Sequence, residues 1–240
     1  MRLNYNEKMS IIESARSALI LVDIQKGFEN VAHWGGQRNN PNAELRASEL
    51  LKIWRDNGLP VFHVQHCSSI TTSLLHETHA GNQFNDLVAP AEGEPIIKKN
   101  VNSAFIGTDL QLLLDNAKIT TLVIAGLTTD HCISTTTRMA GNLGYVTFLV
   151  ADATATFNKK GIDGQNFPAE LIHQTALASL DKEFATVVTT DVVKQAILSK
   201  LVNSKIINVE KQNSFLPNIA KWLVSLSLTT SATRHLKQYT

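Results

Sequence analysis

Six short apolar runs recur along the chain, and five of them end at or just before a charged residue or the polar turn that follows Gly126. These are Ala18-Leu-Ile-Leu-Val22 before Asp23, Pro60-Val-Phe-His-Val64, and Pro95-Ile-Ile97 before Lys98 and Lys99. Thr121-Leu-Val-Ile-Ala125 precedes that turn, Tyr145-Val-Thr-Phe-Leu-Val150 runs toward Asp152, and Ala185-Thr-Val-Val-Thr189 toward Asp191. Their apolar character is continuous rather than alternating. That pattern belongs to strands covered on both faces, as in a parallel sheet. Parallel neighbours need crossover connections, and helical patterns fill the gaps at 42–57, 105–116, 130–142, 169–180 and 191–202. Gly58 and Gly144 are expected to stop the first and third of these. The sequence therefore predicts an α/β fold: a doubly wound, mostly parallel six-stranded sheet with helices on both faces. Functional groups should gather beyond the carboxyl ends of the strands.

At 240 residues the chain is expected to form a single domain, with a core over about 17–193 and a helical tail over about 201–240. The tail carries Phe215, Leu216, Ile219, Trp222, Leu223 and Leu226 at helical spacing. Such a stripe must cover its own sheet edge or another subunit.

Charge is balanced, with 22 basic and 21 acidic residues. Nothing electrostatic favours nucleic acid or an anionic membrane as partner. No apolar run nears the ~20 residues of a membrane span. The opening segment Met1 to Lys8 lacks the apolar core of a signal peptide. Two cysteines, Cys67 and Cys132, are too few for a disulfide framework. A cytoplasmic location is expected.

Chemistry concentrates at the strand ends. Asp23 follows the first run, where a charge is costly to bury unless paired. Taken alone, it reads as a turn or cap aspartate. Lys99 follows the third run and, with Lys98 beside it, reads alone as a solvated lysine. Cys132 follows the fourth run, in what should be the first turn of a helix. Helix N–H groups and the dipole would there stabilise a thiolate and could receive an oxyanion. An isolated cysteine is more often a small buried hydrophobe. Together the three make an Asp/Lys/Cys site, with a carboxylate to take the thiol proton and an ammonium to hold the carboxylate.

Three segments, Leu19-Ile-Leu-Val-Asp-Ile-Gln-Lys-Gly-Phe28, Lys99 to Leu110 and Val123-Ile-Ala-Gly-Leu-Thr-Thr-Asp-His-Cys132, resemble the isochorismatase-like cysteine hydrolases in order and spacing. Nicotinamidases, carbamoylsarcosine amidases and streptothricin hydrolases belong to that superfamily. The likeness runs from about Ser17 to Val193. It implies Asp23 as general base, Lys99 as its charged partner and Cys132 as nucleophile. Lys98 is the rival of Lys99, which is preferred because it lies four residues before Ser103-Ala-Phe. The resemblance also implies a cis peptide at Leu127–Thr128, with the Thr128 and Cys132 N–H groups on the oxyanion. It implies a cofactor-independent hydrolase of C–N amide or carbamoyl bonds in a small molecule, and a homo-oligomer, most simply a dimer. Vinyl-ether hydrolysis by the Asp/Lys pair without the cysteine, and an inert binding role, are the alternatives.

Nicotinamidases of the superfamily carry a metal site after the second strand, built from an Asp-x-His pair and a later His. Here that stretch is His63-Val-Gln-His66-Cys67-Ser68, with His76 and His79 downstream and no aspartate in place. No metal is expected. His66 is a candidate substrate contact, while His63 reads as a half-buried sheet residue and Cys67 as a bland thiol. Phe28, Trp34 and Phe105 follow the catalytic strands closely and are candidate pocket walls. Asp191 reads as a helix N-cap, and Asp152 receives no role. No Gly-x-Gly-x-x-Gly, Walker loop or Gly-x-Ser-x-Gly elbow is present, so nucleotide binding and serine hydrolase chemistry lack support.

Overall fold

The computed structural model describes Ile12 and residues 16–198. Six strands form the main sheet: β1 (Ser17–Val22), β2 (Val61–His66), β3 (Ile96–Lys99), β4 (Thr121–Leu127), β5 (Val146–Ala155) and β8 (Thr186–Val188). Their order is β3-β2-β1-β4-β5-β8 and every pairing is parallel. A two-stranded hairpin, β6 (Lys159–Lys160) with β7 (Asn166–Phe167), stands apart.

Alternation along β1 feeds two cores. Ala18, Ile20 and Val22 join Leu122, Ile124 and Leu149 on one face. They pack there against α2 (Leu110–Asn116), α3 (Ser134–Asn142) and α4 (Ala169–Leu180). Leu19 and Leu21 join Val123, Ala125 and Phe148 on the other, under α1 (Ala43–Asp56) and α5, at 190–198. Central strands buried on both sides explain the continuous apolar runs. The edge strand β3 differs: Ile97 and Lys99 turn inward while Ile96 and Lys98 face out. The two-residue period of a strand thus separates the two lysines.

Three helix expectations shift. The second helix starts at Leu110, not 105, because Gly107 adopts φ 68° and Thr108 Oγ1 donates to the Ala104 carbonyl at 2.6 Å. The third is divided into a π-helical turn, Thr129–Ile133, and α3. For α5, Thr189 rather than Asp191 is the capping residue, since its carbonyl accepts from Val193 N and its hydroxyl from Val192 N. Asp152 acquires a structural part: Oδ1 accepts from the Thr190 N–H and hydroxyl, tying β5 to the start of α5. The expected tail and its apolar stripe lie outside the described residues. No helix among the described residues is long and apolar enough to cross a membrane.

Strand order reverses between β1 and β4, whose neighbours run outward in opposite directions. A crevice opens beyond their carboxyl ends, and there ligands bind in open α/β sheets.

Candidate active site

Asp23, Lys99 and Cys132 meet at this switch point. Asp23 directly follows β1 with φ 53°, a left-handed conformation that Asp tolerates better than most residues. Its N–H still donates to the Val64 carbonyl at 2.9 Å, so β2 fixes its position. Lys99 is the last residue of β3, and Lys98 points away from the site. Cys132 lies in the π-helical turn after β4. That turn is brought close by Gly126, whose φ of 134° and contact with the Val22 carbonyl leave no room for a Cβ. The peptide bond Leu127–Thr128 is cis, and both Thr128 and Cys132 line the cavity.

The ammonium of Lys99 is the hub. Nζ, with three N–H bonds to share among four acceptors, lies 2.6 Å from Asp23 Oδ2 and 3.2 Å from each of His66 Nδ1, the Val101 carbonyl and Cys132 Sγ. Neither Lys99 nor Asp23 exposes its side chain. Asp23 Oδ1 is buried without a hydrogen-bond partner, an acceptor held open beside the thiol. Burial pushes the Cys132 thiol well above its usual range, the Asp23 charge adds to this, and Lys99 only partly opposes it. Burial in the π-turn and the neighbouring carboxylate thus work against the thiolate expected at a helix terminus and favour the thiol.

Donor atoms of Asp23, His66 and Cys132 lie within 4.8 Å of one another, a spacing that suits a metal ion. The chain's own cation, Lys99 Nζ, is already bonded to all three. His63 is fully buried rather than half-buried, and its Nε2 meets Glu94 Oε2 at 2.7 Å. His76 and His79 lie in turns, where His76 Nδ1 pairs with the Thr78 hydroxyl. These residues do not fit the nicotinamidase metal site.

A cavity of about 240 Å³ opens over the sulfur. One wall is aromatic: Phe28, Trp34 and Phe157, with Phe28 and Trp34 centroids 4.8 Å apart. The indole is fixed by donation from Nε1 to the Gly27 carbonyl at 2.8 Å. Ser73, Leu75, Asn102 and His66 line other parts of the cavity, as do His131 and Lys159. Phe28, Trp34 and His66 thus stand where the sequence places them. Phe105 does not: it is buried in the core, stacked on Tyr145 at 6.0 Å. Cys67 is a half-buried free thiol outside the cavity lining.

Phe157, Asn102, His131 and Lys159 escaped the sequence reading. Asn102 and His131 lie within the second and third motif segments and could have been found there. Phe157 arrives from the far end of β5, and Lys159 from the hairpin. The charges at this end pair off locally: Asp130 accepts from the Thr156 hydroxyl and meets Lys159 at 3.3 Å. Burial works against the Asp130 carboxylate, but this hydroxyl, His131 and Lys159 together hold it below its usual range.

Comparison with known proteins agrees with this architecture. The chain is 48% identical over 176 residues to the isochorismatase family protein YrdC of Bacillus subtilis, covering 73% of this chain and 93% of YrdC. It is 29% identical over 215 residues to N-carbamoylsarcosine amidase of an Arthrobacter species, covering 80% of this chain and 76% of that one. A crystal structure of an isochorismatase-family protein from Chromobacterium violaceum superposes with a TM-score of 0.74 at 37% identity, covering 78% of this chain and 95% of the other. Residues 17–192 match the family model described as the isochorismatase domain, so the segment that builds the sheet and brings Asp23, Lys99 and Cys132 together is the segment by which this chain belongs to the isochorismatase family of hydrolases.

Proposed function

We propose that the chain hydrolyses a C–N amide or carbamoyl bond of a small molecule through a covalent thioester on Cys132. The observation that carries this reading is the unpartnered Asp23 Oδ1 beside the protonated sulfur. A buried thiol cannot attack until it loses its proton, and here an acceptor stands open for it. The substrate carbonyl enters over Cys132. As the S–C bond forms, the thiol proton passes to Asp23. The carbonyl oxygen, now anionic, takes hydrogen bonds from the Thr128 and Cys132 N–H groups. Collapse breaks the C–N bond, and Asp23 returns its proton to the departing nitrogen. Water then gives a proton to Asp23 and attacks the thioester. The acid leaves, and sulfur recovers the proton. Throughout, Lys99 balances the charge of Asp23.

The likeness to an N-carbamoylsarcosine amidase supports C–N chemistry. The test is a panel of amides and carbamoyl compounds assayed for ammonia or amine release, with the acyl-enzyme sought on Cys132 by intact mass. Cys132→Ala should abolish release and leave the fold intact. Release at the wild-type rate from Cys132→Ala would refute the covalent mechanism.

The isochorismatase domain match favours a second reading, in which Asp23 protonates a vinyl ether and the cysteine is a bystander. Pyruvate formed from isochorismate, undiminished in Cys132→Ala, would establish it instead.

A further inference from the structure

His66 differs from the other cavity residues in that its ring is held from behind by a group that can only donate. Lys99 Nζ lies 3.2 Å from His66 Nδ1. An ammonium has N–H bonds and no lone pair, so a proton on Nδ1 would set two donors against each other, and the contact favours a bare Nδ1 with the ring proton on Nε2. Burial holds the imidazole below its usual range, the adjacent Lys99 charge adds to this, and Asp23 opposes both. The ring is therefore neutral near pH 7. With Nδ1 turned to buried Lys99, the opposite edge of the ring carries Nε2 toward the cavity that His66 lines. No described residue accepts from Nε2.

The backbone of His66 is fixed as firmly as its ring. Gln25, itself buried, accepts from the His66 N–H through Oε1 at 2.9 Å and donates to the His66 carbonyl through Nε2 at 3.0 Å. Asn82 Nδ2 donates to the same carbonyl at 2.9 Å. A donor held at both ring and backbone loses little freedom when it binds, which is what a recognition group needs.

We propose that Lys99 locks His66 as an Nε2–H donor and that this N–H selects substrates carrying a hydrogen-bond acceptor on the β2 side of the carbonyl over Cys132. A substrate presenting an N–H there would leave two donors opposed, and one presenting only carbon would leave the His66 N–H unpaired. Lys99 thereby serves two functions, charge partner of Asp23 and director of the His66 tautomer. The assignment rests on the cavity being the hydrolytic site, yet its test needs no turnover.

Two measurements on the full chain decide it. The first is ¹⁵N NMR of protein labelled in histidine, with the His66 signals identified by their loss in His66→Gln. At pH 7 Nε2 should be protonated and Nδ1 bare; a ring protonated on Nδ1, or on both nitrogens, overturns the proposal.

The second compares alkylation of Cys132 by iodoacetamide, whose carbonyl is an acceptor, and by methyl iodide, which has none. In both reactions sulfur displaces iodide and the thiol proton is released. His66→Ala should slow iodoacetamide roughly five- to tenfold and leave methyl iodide within about twofold. His66→Gln, whose amide can accept from Lys99 and donate to the cavity, should restore the iodoacetamide rate. Equal slowing of both reagents would mean that His66 acts only through thiol ionisation or packing, and would overturn the proposal, as would no slowing of either. A protein that passes both tests but hydrolyses no amide would refute the proposed reaction and leave the His66 assignment standing.

Discussion

Lys99 Nζ stands 2.6 Å from Asp23 Oδ2 in a place that water does not reach from either side chain. A buried pair of this kind contributes little net stability, because each ion has given up its hydration. Breaking it is another matter. Lys99→Met leaves a carboxylate alone in the core and should cost about 3–5 kcal/mol, and Asp23→Asn should cost a similar amount by stranding the ammonium. Both should also abolish hydrolysis. Urea unfolding followed by circular dichroism checks the stability. The double variant Asp23→Asn with Lys99→Met should regain part of the loss while remaining inactive. A double variant no more stable than either single would show that the two ions are not a coupled pair.

Gly126 makes the same site possible sterically. A Cβ at this position would overlap the Val22 carbonyl, on the strand that presents Asp23. Its φ of 134° also lies where L side chains are strained. Gly126→Ala should destabilise by about 2–4 kcal/mol and move β4 away from β1. Activity should fall by more than stability explains, because Cys132 rides on the turn that β4 leads into. Wild-type kcat in a protein of lowered melting temperature would contradict that coupling.

Much of this was legible from sequence because the central strands announce themselves. β1 and β4 are buried on both faces, so their apolar runs are unbroken and their ends are marked by Asp23 and by the turn to Cys132. The choice between Lys98 and Lys99 rested on an offset within a motif, and strand alternation now gives it a physical reason. Other features are tertiary and leave no local trace. Phe157 reaches the cavity only because β5 extends to Ala155 beside the end of β4. Phe105 looked equally well placed but found the core, where Tyr145 stacks on it. The state of Cys132 depends on competition: a helix terminus favours the thiolate, while burial and a neighbouring carboxylate disfavour it more. Only the assembled site reveals which wins.

That competition has a measurable sign. A thiol raised by burial and by Asp23 gains thiolate slowly as pH increases. The iodoacetamide rate at Cys132 should therefore keep climbing from pH 7 to 10, with no plateau near the ~8.5 of a free cysteine. Cys67 in the same protein provides the internal comparison, read by peptide mass spectrometry. A plateau for Cys132 below pH 8 would restore the thiolate reading.

Stability should depend on pH through a second cluster, away from the catalytic crevice. Glu94 accepts from Arg55 twice at 2.7 Å, from His63 Nε2 at 2.7 Å and from the Ala91 N–H at 2.9 Å. The Arg55 hydrogen bonds, helped by Ala91 and His63, outweigh burial and hold this carboxyl at about 2 instead of its usual 4.5. When pH falls below 4.5, the unfolded chain takes up a proton that folded Glu94 still refuses. Stability is then lost progressively toward pH 2, by up to about 3 kcal/mol. His63 works in the same direction from higher pH. Its buried ring resists protonation, with Glu94 only partly offsetting the burial, so below 6.5 the unfolded state gains protons first. The urea midpoint should hold steady between about pH 7 and 8, fall on acidification, first from His63 and then from Glu94, and fall again in alkali, where the unfolded chain releases the Cys132 proton first. Glu94→Gln removes the second of these groups, so its midpoint should lie below wild type at pH 7 and decline less between pH 4.5 and 2. Parallel declines in the two proteins would show that the Arg55–Glu94–His63 cluster does not govern the acid limb.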